Sequence, residues 1–240
     1  MKLFIIMILF ISSLFASSNI RYYEGGVTFY GTTGSGSVTK TDNSDNTYTI
    51  HLRSKPTEFI GKLSGVLGAE FISEGVVLKN GVYQPLTFSS IKDAVDKYEK
   101  TTYTFYHDDH NKTIIKAKYI KKYVHQSHFD VHTFKIVKSH TIEEEISENN
   151  ISYSTDDYLS LVQNVKFLKS GIINYVDKND DDTLNLVKND SEHYDIRVDK
   201  KDESYLVRLI NDDTGLVDAQ TIKATFFGDA WIRSASQPLE

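Results

Sequence analysis

Apolar and polar residues alternate with a period of two along much of this chain. Tyr48, Ile50 and Leu52 alternate with Thr49, His51 and Arg53. Tyr103 and Phe105 alternate with Thr102 and Thr104. Further on, Ile115, Ala117 and Tyr119 alternate with Lys116 and Lys118, and Tyr194, Ile196 and Val198 with Asp195, Arg197 and Asp199. Tyr205, Val207 and Leu209 follow the same rule. A period of two places each apolar set on one face of a strand. Short polar breaks separate these runs: residues 107–112, 200–203 and 211–215. Breaks so short suit antiparallel hairpins, because a parallel connection needs a longer crossover. The last third therefore reads as a meander ending in residues 224–227 and 230–233.

Two segments follow helical spacing instead. From Thr155, the apolar residues Tyr158, Leu161, Val162, Val165 and Leu168 share a helix face, with Thr155 as the expected cap and Asp156 and Asp157 at the positive end of the dipole. Phe59, Ile60, Leu63, Val66 and Leu67 form the second, interrupted by Gly61, Gly65 and Gly68. It reads as a short helix or an irregular strand. Two stretches read as loops: the Gly/Ser/Thr tract from Gly31 to Ser37, and the acidic, amide-rich residues 143–150. The latter is a candidate seam between two halves, near 143–152. The fold expected from this pattern is mainly β: a strongly curved antiparallel sheet or partly closed β-barrel with one or two short helices.

The first eighteen residues, MKLFIIMILFISSLFASS, change the picture most. Lys2 supplies the short positive start, an apolar run from Leu3 to Phe15 follows, and Ala16, Ser17 and Ser18 supply small residues. That is the layout of a secretory signal cleaved near Ser18, and the run is too short for a comfortable bilayer span. The expectation is an exported, periplasmic or envelope-associated protein, with residues 19–238 as one domain and no transmembrane span after cleavage. Leu239-Glu240 resembles a cloning scar. The chain has no cysteine, which fits a bacterial periplasm and removes thiol nucleophiles, thiolate zinc sites and iron–sulfur clusters. Its net charge of −6 argues against a nucleic-acid partner.

Motifs for chemistry are sparse. Asp177, Asn179 and Asp181 open like a calcium loop, but Asp182 replaces the glycine and Lys188 the terminal glutamate, so a solvated turn is the reading. Histidines cluster from His107 to His140. Of these, His128 and His132 would share a strand face with His125 on the other, and they read as surface residues with no metal. No nucleophile elbow, P-loop or dinucleotide fingerprint is present, and no cofactor or catalytic residue is assigned. Asn111-Lys112-Thr113 and Asn150-Ile151-Ser152 are glycosylation triplets, each with an acid two residues before it. The apolar residues Phe59, Leu63, Val66, Leu67, Tyr158 and Leu161 are the candidate lining of a ligand cavity.

A further pattern runs through Ile20-Arg21-Tyr22-Tyr23, Phe71-Ile72-Ser73-Glu74-Gly75, the Gly81-x-x-x-Pro85-x-x-Phe88 turn, a tyrosine-rich hairpin, and Asp157-Tyr158-Leu159-Ser160 opening a helix. It resembles the exported bacterial domain-of-unknown-function family numbered three thousand one hundred and eight. The resemblance implies a periplasmic or envelope-associated, mainly β protein and carries no activity with it. The functional expectation is a non-enzymatic protein binding an apolar, lipid-like or glycan ligand, or an envelope protein partner. The alternative is a periplasmic hydrolase whose site is assembled only in the fold.

Overall fold

The computed structural model of the chain describes residues 17–95, 97–107, 113–125, 128–130, 132, 134–137, 140–149, 156–177, 180–188, 193–200, 203–211, 217–225 and 228–236. Residues 1–16, Asn111 and Asn150 of the two glycosylation triplets, Thr155, Phe226 and Phe227 lie outside them.

The period-two pattern is realised as a mainly β fold. Strands β1 (Ser17–Val27), β2 (Gly31–Asp42) and β3 (Thr47–Pro56) lead to helix α1 (Glu58–Ser64). Then come β4 (Val66–Val77), β5 (Tyr83–Ala94), β6 (Lys97–His107), β7 (Thr113–His125), a small hairpin of β8 (His128–Asp130) and β9 (Lys135–Val137), and β10 (His140–Asn149). Helix α2 (Tyr158–Asn164) precedes β11 (Gly171–Asp177), β12 (Asp180–Lys188), β13 (His193–Lys200), β14 (Glu203–Asn211), β15 (Val217–Thr225) and β16 (Gly228–Ala235). Fourteen strands form one antiparallel sheet in the order β10-β7-β6-β5-β4-β3-β2-β1-β16-β15-β14-β13-β12-β11. The order is linear: among the described residues no pairing joins β10 to β11. The first and last strands meet in its middle, where Gly25 stands opposite Ile232.

Registers carry the same-face rows across several strands. Val38, Leu52, Phe71 and Ser90 stand in one row; Lys40, Ile50, Ser73, Phe88 and Tyr103 stand in the next. This is the inner face, and the core lies on it: Tyr48, Ile50, Tyr83, Phe88, Tyr103, Phe105 and, from α2, Leu159 are all buried in one cluster. Burying such rings supplies most of the drive for folding in a chain without disulfides.

Three local expectations are corrected. Residues 31–37 are not a loop but the first part of β2, because hydrogen-bonding partners on both sides, β1 and β3, outweigh the weak strand propensity of Gly and Ser. Residues 143–149 are not a loop but lie in β10, whose register sets Glu143 opposite Lys122 and Glu144 opposite Lys121 of β7. Opposite charges at cross-strand positions favour the pairing. The 59–67 segment is divided: α1 ends at Ser64, Gly65 closes it with φ +71°, and Val66 and Leu67 open β4. Of the calcium-like motif, Asp177 ends β11 and stands opposite Asp180 at the start of β12, while Lys178 and Asn179 lie outside the described residues.

Candidate functional site

Helix α2 is buried on several sides at once. Leu159, Ser160, Leu161, Gln163 and Asn164 are all buried, and the helix packs against β4, β5 and β11. A helix carrying polar groups into such surroundings must find a partner for each of them. The cap is Asp157 itself. Its Oδ1 accepts the backbone N–H groups of Leu159 at 2.8 Å and Ser160 at 3.0 Å. Its Oδ2 accepts the Ser73 hydroxyl from β4 at 2.6 Å. With that proton committed, Tyr48 donates its own hydroxyl to Ser73 Oγ at 3.2 Å. Asp157 is wholly enclosed. Burial pushes its carboxyl up to about 6, with the neighbouring Asp156 adding to the rise and the hydrogen bonds from Ser73, Ser160 and Leu159 opposing it. Burial, together with the negative charges of Asp157 and Asp156, likewise raises the Tyr48 phenol well above its ordinary value.

The other end of α2 is fixed by Asn164. Its Oδ1 accepts Tyr83 N–H at 2.8 Å, while its Nδ2 donates to Tyr83 O at 2.7 Å and to Asp156 Oδ1 at 2.9 Å. The side-chain amide thus substitutes for the peptide of a neighbouring strand at the start of β5. Tyr83 in turn donates its hydroxyl to Asp42, which also holds the buried Lys40 ammonium at 2.9 Å.

Between α2 and the inner face of β1–β4 and β16 lies a cleft of about 560 Å³. Tyr158, Leu159, Val162 and Gln163 form its roof; Val38, Leu52, Val66 and Ile232 form apolar walls. Its floor exists because one inner row, Tyr23, Gly36, Ser54 and Ala69, is mostly small. The neighbouring strand approaches Gly36 so closely that a Cβ there would lie 2.7 Å from Arg53 O, so the floor accepts no side chain without a backbone shift. Tyr158 joins the cleft to the core by edge-on contacts with Phe71 and Phe88, at ring separations of 5.6 and 5.3 Å. Pro56 and Val66, which flank α1, are both lining residues, so α1 stands at one end of the cleft.

The opposite face of the same strands bears a second groove of about 590 Å³, lined by Tyr22, Arg53, Lys55, Glu70, Asp93 and Tyr98. There Arg53 Nε donates to His51 at 3.2 Å and lies 3.6 Å from Glu70. Alternation along β3 sends Arg53 and Lys55 to this face and Leu52 and Ser54 to the other.

Of the residues expected to line a cavity, Val66 and Tyr158 do so. Leu67 lines the polar groove instead, since a register shift between Val66 and Gly68 interrupts the alternation. Phe59 and Leu63 are 71% and 76% exposed, because α1 packs no residue inward. Leu161 is fully enclosed by packing and lies outside the cleft. Leu159 and Val162, within the apolar 158–168 segment, also line it, and so does the polar Gln163, which hydropathy does not single out. Of the clustered histidines, His107 Nε2 contacts Pro85 O at 2.6 Å, His125 and His140 stand at opposed register positions of β7 and β10, His132 is exposed in a turn, and His110 lies outside the described residues. Among the described residues no group of three or more His, Cys, Asp or Glu is arranged to hold a metal ion. No helix among them is long and apolar enough to cross a membrane. Comparisons with family models, curated proteins and solved structures find no match to this chain.

Proposed function

We propose that this chain is an exported, non-enzymatic protein of the bacterial cell envelope that houses an apolar, lipid-like ligand beneath α2. The observation that carries the reading is the cleft: about 560 Å³, walled by aliphatic side chains and roofed by a helix pinned at both ends. Its volume falls within the roughly 300–1,000 Å³ of small-molecule sites. The leader pattern of residues 1–18 supports export, and the family resemblance fits the same setting. Exposed Phe59 and Leu63 on α1, beside lining residue Val66, offer an apolar approach to the mouth. The Tyr48–Ser73–Asp157 chain is enclosed and committed to holding the helix, so it gives the hydrolase alternative no support.

Native mass spectrometry of the protein recovered from its own cell envelope tests this. Co-purifying lipid, lost on denaturation, is the expected result. A bare mass from gentle extraction would defeat the proposal.

A further inference from the structure

Polar groups buried around α2 are matched with partners, with one exception. Asp157, Ser160, Asn164 and Asp156 all make the hydrogen bonds their positions demand. Gln163 is 8% exposed and lines the cleft, yet its side-chain amide makes no hydrogen bond among the described residues. No fully enclosed side-chain polar atom there lacks a partner. The small exposure left to Gln163 is therefore what the cleft provides. A primary amide both donates and accepts, and nothing in the apolar walls can answer it.

Three charged residues, Glu24, Arg53 and Lys55, border the cleft, but strand alternation, with Tyr23, Leu52 and Ser54 on the inner face, directs their side chains to the other side of the sheet. There Arg53 meets His51 and Glu70, Lys55 shares its side of β3 and the second groove, and Glu24 is paired with Arg233. Lys40, on the inner face, is held by Asp42 and is not a lining residue. An anionic head group would enter this space unpaired, at a large desolvation cost. Size restricts the occupant further. At roughly 30 Å³ per water-sized group, about 560 Å³ holds on the order of twenty heavy atoms, one chain and not two.

Building on the reading of the cleft as a lipid site, we infer that the Gln163 amide is its polar anchor and that the occupant is a neutral, single-chain amphiphile, an acyl or alkyl chain ending in a hydroxyl or carbonyl group.

The test is displacement of N-phenylnaphthylamine from the full chain by monodecanoylglycerol, decanoate and decane. The wild type should prefer monodecanoylglycerol to decanoate. Gln163→Leu should weaken monodecanoylglycerol about 3- to 10-fold, the value of one net hydrogen bond, and leave decane unchanged. Should that variant fail to fold, Gln163→Met serves in its place. The side-chain amide resonance of Gln163 in the wild type should also shift when monodecanoylglycerol is added. Equal affinities in wild type and variant with an unmoved resonance would overturn the anchor while leaving the lipid cleft standing. Tighter binding of decanoate would overturn the neutral head group. A wild type that takes up neither the probe nor any of the three chains would remove the cleft reading and this inference together.

Discussion

Helices α1 and α2 are both seven residues long, and both follow a residue suited to capping. Neither length is sufficient for a stable isolated helix in water. Thr57 makes no side-chain cap bond to α1, whose one internal ion pair, Lys62 to Glu58, is exposed, and none of its residues is buried. Asp157 caps α2 twice over and ties it to β4, Asn164 ties its far end to β5, and five of its residues are buried. The difference lies in contacts made across the fold and not in intrinsic helix preference. It also divides the labour: the pinned helix shapes the cleft, and the unpinned one stands at its end.

The sharpest way to break this contrast is to remove the far pin. Asn164→Leu leaves both Tyr83 N–H and Tyr83 O buried without their partner, and chemical denaturation should show a loss of about 4 kcal/mol. The next effect in size is a pH dependence. Asp157 is raised from 3.8 to about 6 in the fold, so the native state binds its proton more tightly than the unfolded chain. The stability this contributes is complete below about pH 4, declines as pH rises, and is gone above about 6, a change of ~3 kcal/mol. Asp157→Asn should flatten that slope in denaturation curves collected from pH 4 to pH 7. Asp157→Ala, measured at pH 4, should cost about 2 kcal/mol through the lost cap, and less at pH 7, where the wild type has itself weakened. On the other helix the same experiments should find little. Gly65→Ala should cost about 1 kcal/mol, since φ is +71° and nothing crowds the position. Phe59→Ser combined with Leu63→Ser should stay within about 0.5 kcal/mol, while slowing uptake of a lipid probe from vesicles. A large stability loss from that pair would mean that α1 is as firmly seated as α2.

Residues announced themselves to different degrees. Tyr48, Ile50, Tyr103 and Phe105 are legible because strict alternation has a single structural meaning, and all four are buried. The start of β2 is not legible, since glycine and serine mark turns equally well and only the flanking strands decide. The same holds for β10, whose run of glutamates resembles a solvated loop until it is set against the lysines of β7. The cap of α2 was expected at Thr155, two residues too early. A chain reading cannot see that Ser73, eighty-four positions away, completes the Asp157 site. Gln163 and Asn164 are adjacent amides with nothing in the local pattern to separate them. One is consumed by Tyr83 and the other is turned to the cleft, and that distinction is made entirely by residues distant in sequence.

The strand order has a kinetic side. β1 is flanked by β2 on one side and β16 on the other, with Glu24 opposite Arg233. Every other neighbouring pair in the sheet links segments much nearer along the chain. The seam at its middle is therefore the slowest to form, because its loop-closure entropy spans nearly the whole polypeptide. Until β16 arrives, β1 and β15 present open rims to any passing strand, so assembly of this protein is most exposed to self-association at its final step.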